Sequence, residues 1–136
     1  YTTALPPTTV AGLAAAYELL PELQPAREQL FRLSDYLKAT LNAVPGLHVP
    51  AGSHVIHPVF FAQNPGPAAV RALAAAAQAA GFDVRPIVAP TVPAGTERLR
   101  LIVHSFNTKA EIDALAAVLA VSCWLLAVGC CWINGS

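Results

Sequence analysis

The alternating run Arg98-Leu99-Arg100-Leu101, reached through the turn Pro90-Thr91-Val92-Pro93-Ala94-Gly95, constrains this chain more than any other segment. Successive side chains on a strand point to opposite faces, so Arg98 and Arg100 share one face while Leu99, Leu101 and Val103 share the other. The leucine face belongs to a core, and the arginine face can meet an anion. Pro90 and Pro93 fix φ on either side of Thr91 and remove two backbone donors, which presents the threonine hydroxyl from a loop with little freedom to collapse. Gly95 permits the reversal into the strand. A hydroxyl followed by two guanidinium groups is the chemistry of a carboxylate clamp. The residues alone also fit a solvated edge strand whose arginines make surface ion pairs.

The rest of the chain supplies partners for that strand. Thr8 to Leu20 is rich in alanine and leucine, follows a Pro-Pro pair suited to a helix start, and stops against Pro21. A second helix is predicted from about Pro25 to Ala43, because Leu30, Leu33, Leu37, Leu41 and Val44 recur at spacings of three and four. Pro45-Gly46 ends it. Strands are expected at Leu47 to Val49 and His54 to Ala62. Pro67 to Ala80 reads as a helix closed by Gly81, and Phe82 to Val88 as a strand that Pro86 confines to a sheet edge. Thr108-Lys109-Ala110-Glu111 is a capping-box pattern opening a last helix, with Ile112, Leu115, Val118 and Leu119 on its buried side. This order predicts an α+β fold, a small antiparallel sheet with packed helices.

A chain of 136 residues holds one domain of this kind. It starts with Tyr1 and contains no methionine, so it is expected to be the downstream piece of a longer protein. Eight basic and eight acidic residues cancel and are scattered, which argues against a nucleic-acid partner and an anionic-membrane patch. Cys123, Cys130 and Cys131 all fall near the carboxyl end, a pattern that fits a reducing cytoplasm better than a disulfide framework. His54 and His57 stand on opposite faces of their predicted strand and His48 and His104 lack ligand spacing, so no metal site is expected.

Two motifs carry a resemblance. The stretch Pro90-Thr91-Val92-Pro93-Ala94-Gly95-Thr96-Glu97-Arg98-Leu99-Arg100 resembles the signature near the carboxyl end of the α-oxoamine synthases, pyridoxal-phosphate enzymes of fold type I. Tyr1-Thr2-Thr3-Ala4-Leu5-Pro6-Pro7 resembles the same family's aromatic-Thr/Ser-Thr-small-Leu/Met-Pro-Pro motif, in the expected register. Leu101 to Thr108 is similar to the 8-amino-7-oxononanoate synthase branch. The resemblance covers about residues 1–120. It implies the C-terminal small domain of a fold type I enzyme, with residues 1–7 an interface segment; residues 121–136 fall outside it as an apolar tail, read as a non-native terminus or a hydrophobic extension packed on the upstream domain.

The resemblance also implies roles. Thr2 and Thr3 match positions that hydrogen-bond the phosphate of the partner subunit's pyridoxal phosphate across a homodimer interface. Thr91 matches a substrate contact, and Arg100 matches the arginine that holds the amino-acid carboxylate. Arg98 is the less certain partner. Where many oxononanoate synthases carry an arginine three residues before the threonine, this chain has Val88, and Arg85 stands three residues further upstream. The Schiff-base lysine belongs to the family's upstream domain. Lys38 and Lys109 lack its motif and read as solvated charges, so this piece is expected to be inactive alone, with no catalytic residue of its own.

The implied reaction condenses L-alanine with a pimeloyl thioester, through a carbanion that the cofactor stabilises by electron withdrawal. Another α-oxoamine synthase, such as 5-aminolevulinate synthase, shares the Pro-Thr-Val-Pro and Arg-Leu-Arg features. A free-standing α+β interaction module is the reading from a different class. The tail from Ala114 to Ile133 has no charged residue and would span roughly 30 Å as a helix. Against a membrane segment stand its overlap with the last amphipathic helix, an interruption expected at Gly129, and the absence of flanking lysine or arginine clusters.

Overall fold

The computed structural model describes residues 4–52 and 55–133. Four helices and four strands follow in the predicted order: α1 (Pro7–Leu19), α2 (Gln24–Asn42), β1 (Leu47–His48), β2 (Ile56–Phe61), α3 (Gly66–Ala79), β3 (Arg85–Ile87), β4 (Arg98–Ile102) and α4 (Lys109–Ile133). The strands form one antiparallel sheet in the order β1-β2-β4-β3. The architecture is the α+β one that the sequence predicts.

Strand β4 is central, and its alternation decides which face is covered. Leu99 and Leu101 are buried while Arg100 and Ile102 are exposed. Their partners on β2, Val59 and His57, are fully buried on the same side. Helices α2, α3 and α4 close that side with Leu33, Leu37 and Leu41, with Val70, Leu73 and Ala77, and with Ile112, Leu115 and Leu119. Val118, expected on the buried side of α4, is only half-buried, and Ala116 takes the fully buried place.

The prolines in strands sit where donors are dispensable. Pro86 lies on β3, which forms one edge of the sheet. Pro58 lies on β2, but β1 pairs only with Phe60 and Phe61, so β2 is itself an edge at Pro58.

Three features were not legible in the sequence. Helix α1 buries no residue: Leu13 is 48% and Tyr17 71% exposed. Strand β3 is shorter than Phe82 to Val88, because Phe82 donates its N–H back to Ala77 and the Gln78 amide donates to the Val84 carbonyl at 2.7 Å. Helix α4 runs through Gly129 to Ile133 without the interruption expected there, since one glycine costs a helix only about 1 kcal/mol. Among the described residues no helix is long and apolar enough to cross a membrane.

Candidate functional site

The connection between β3 and β4 is a stitched turn. The Ala89–Pro90 peptide is cis, and Gly95 has φ +86°, a conformation that favours glycine. Thr91 donates its N–H to Val88 O at 3.0 Å, and the Thr96 hydroxyl donates to Pro93 O at 2.7 Å. Glu97, only 2% exposed, accepts the Gly95 N–H at 2.9 Å through Oε2. This buried carboxylate ties the turn to the start of β4. Nothing in the sequence pattern marks it, because a lone Glu before an Arg-Leu repeat reads as a solvated charge.

The turn leads into the two arginines, whose surroundings differ. Arg98 is occupied: its guanidinium lies 4.8 Å from the Phe60 ring centroid and its Nε donates to Thr96 O at 3.0 Å. Arg100 is exposed and makes no hydrogen bond, ion pair or ring contact among the described residues. Cross-strand register places Pro58 on one side of it and Arg85 on the other. Arg100 and Arg85 line one cleft of about 640 Å³, where the end of β4 and the first turns of α4 meet the chain entering β3. His104, Asn107 and Glu111 line the same cleft.

The α4 end of the cleft is held by the predicted capping box. Thr108 N–H donates to Glu111 Oε2 at 2.7 Å, and Glu111 N–H donates to Thr108 Oγ1 at 3.2 Å. The Thr108 N–H, aided by the Asn107 amide at 3.4 Å, holds the Glu111 carboxyl below the usual carboxylate range. Opposite, Arg85 Nε pairs with Asp83 Oδ1 at 2.7 Å.

Of the residues singled out from sequence, Arg100 lies in the cleft. Thr91 is exposed on the turn at the far end of the β3–β4 hairpin and does not line it. Thr2 and Thr3 lie outside the described residues, as does His54. His57 is not a surface group: it is fully buried and its Nε2 lies 2.9 Å from Ser34 Oγ on α2.

Comparison with known proteins gives this geometry a context. No family model matches the chain. It is 38% identical over 122 residues to the 8-amino-7-oxononanoate synthase of Anaeromyxobacter sp. strain K, 35% over 119 to that of Chlorobaculum parvum, and 35% over 132 to that of Emericella nidulans. These matches take in 88%, 88% and 92% of this chain. The chain belongs to the α-oxoamine synthase family. It spans 29–30% of the length of these curated relatives.

Solved structures agree on the fold of this α-oxoamine synthase chain. It superposes on SPT with its PLP internal aldimine at a TM-score of 0.76 and 23% identity, over 94% of this chain and 32% of that one. The serine palmitoyltransferase of Sphingomonas wittichii gives a TM-score of 0.75 at 22% identity, with the same coverage.

An internal aldimine requires a lysine amine, and the described residues do not offer one that is free. Lys38 Nζ donates to Gly52 O at 2.6 Å and pairs with Asp35 at 2.7 Å. Lys109 Nζ stands 4.8 Å from the Tyr36 ring centroid. Neither lines the cleft. Taken by themselves, the described residues do not fit pyridoxal phosphate.

Proposed function

We propose that the complete protein is a pyridoxal-phosphate C-acyltransferase that condenses L-alanine with a pimeloyl thioester, as an 8-amino-7-oxononanoate synthase in biotin biosynthesis. The acyl carbon bonds to the alanine Cα, the carboxylate leaves as carbon dioxide, and the C–S bond breaks to give a thiolate that takes up a proton. Residues 1–120 act as the small domain and residues 121–136 as an apolar tail, within a cytoplasmic homodimer. Pyridoxal phosphate is held mainly by the portion of the protein outside this chain, with Thr2 and Thr3 donating to its phosphate in the partner subunit. This chain is inactive alone.

The observation that carries the reading is the open guanidinium of Arg100 at the cleft. Its planar fork suits a carboxylate in bidentate fashion, which fixes the Cα of the bound amino acid. The buried Leu99 and Leu101 on either side hold the strand that aims it. Thr91 does not line this cleft, so the substrate contact proposed for its hydroxyl falls on a part of the substrate that extends beyond the cleft to the turn. The names of relatives at 35–38% identity support 8-amino-7-oxononanoate as the product.

The test is carbon dioxide release by the complete enzyme. Turnover of L-alanine with pimeloyl thioester is expected to exceed that of glycine with succinyl thioester. The opposite preference would assign the protein to the aminolevulinate branch, and no release with either pair would leave a non-catalytic interaction module.

A further inference from the structure

Like charges directly opposite on neighbouring strands destabilise a sheet, yet Arg85 on β3 is the register partner of Arg100 on β4. Opposed residues present their side chains to the same face, with Cβ atoms about 4.5–5.5 Å apart. Asp83 offsets part of this repulsion. Both members of that ion pair are largely exposed, at 59% and 74%, so it contributes little to stability. What it does is geometric: it engages Arg85 through Nε and leaves the two terminal nitrogens without another hydrogen bond among the described residues. A guanidinium anchored at Nε presents its remaining N–H groups as a fork, the arrangement that takes a carboxylate. The cleft therefore has two forks on one wall, and Arg100 needs only one carboxylate.

We infer that Arg85 is a specificity-determining residue that binds the far carboxylate of a dicarboxylic acyl donor, an inference that rests on the acyltransferase reading above. The amino acid brings one carboxylate to Arg100. A pimeloyl thioester brings a second at the distal end of its methylene chain, and Arg85 is the other permanently charged cation lining the cleft. Asp83, which lines the same cleft, is the positioning residue, since it holds Arg85 through Nε. The pairing is not visible in the sequence, because residues 85 and 100 are joined only by the β3–β4 register.

The test compares donors that differ only in that carboxylate. In the complete enzyme, Arg85→Ala is expected to raise KM for pimeloyl thioester about ten- to a hundredfold, the loss expected for hydrogen bonds to a charged group. KM for heptanoyl thioester and for L-alanine should stay the same, and Arg85→Lys should recover part of the loss. Calorimetry with pimelate and heptanoate gives a readout that does not need turnover. Pimelate should bind the wild-type enzyme more tightly than heptanoate, and Arg85→Ala should remove the difference. Equal losses for both donors, a rise in KM for L-alanine, or no preference for pimelate would overturn the assignment of Arg85. Absence of turnover by the wild-type enzyme with intact pimelate discrimination would instead overturn the acyltransferase reading and leave the anion site standing.

Discussion

Arg98 and Arg100 are two residues apart on one strand face, yet only one is available for a ligand. Arg98 meets the Phe60 ring and the Thr96 carbonyl, whereas Arg100 lies between Pro58, whose side chain offers neither an aromatic face nor an acceptor, and another arginine. The amino-acid-binding role proposed for Arg100 depends on its fork, so Arg100→Lys should be far from conservative. Lysine keeps the charge but not the paired donors. In the complete enzyme KM for L-alanine is expected to rise by at least tenfold, with KM for the acyl donor little changed; an unchanged KM for L-alanine would remove Arg100 from the site. The Ser34–His57 pair shows the opposite limit of reading residues one at a time. The apolar run around Val59 marks position 57 as core-facing, but the hydroxyl that meets the imidazole comes from a helix 23 residues earlier. Glu97 is a third case, polar in type and buried by what its turn requires.

Elements were legible wherever local chemistry set their ends. Pro7 opens α1, Gly46 and Gly81 follow α2 and α3 with positive φ, and Thr108 with Glu111 caps α4 as its spacing predicts. Strand β3 was overestimated because a side chain on α3, Gln78, takes the carbonyl that a longer ladder would have used. The cap of α4 carries a pH dependence with a definite sign. Hydrogen bonds to the Glu111 carboxylate depress its folded-state pKa, so the cap's contribution is present above the unfolded value and lost as pH falls through the folded one. An NMR titration should find the Glu111 midpoint below the ordinary glutamate range, with protection of the first α4 amides falling over the same interval. Glu111→Gln should abolish that pH dependence. A midpoint at the ordinary value would mean that the cap does not form in solution.

At the scale of the whole molecule, helix α1 contributes nothing to the core, and Leu13, Tyr17, Leu20 and Leu23 are each about half exposed or more. The open sheet face adds Ile56 at 51% and Ile102 at 47%. Apolar surface of this extent on a chain spanning less than a third of its relatives' length marks contacts meant for the rest of the protein. Residues 1–136 expressed alone are expected to aggregate and to bind a hydrophobic dye, while the complete protein should stop at the proposed homodimer and bind no dye. A monodisperse monomer without dye binding would contradict this. The sequence by itself determined the α+β class, the order of the elements, the covered face of β4 and the family, because all of these follow from periodicity, proline and glycine placement, and motifs within a dozen residues. Only the tertiary structure decided that Arg98 is occupied and Arg100 open, that Arg85 stands opposite Arg100, that Thr91 lies away from their cleft, and that α1 packs on nothing described. Those outcomes depend on strand register and on which helix covers which face, and both are settled by burial across the whole sheet.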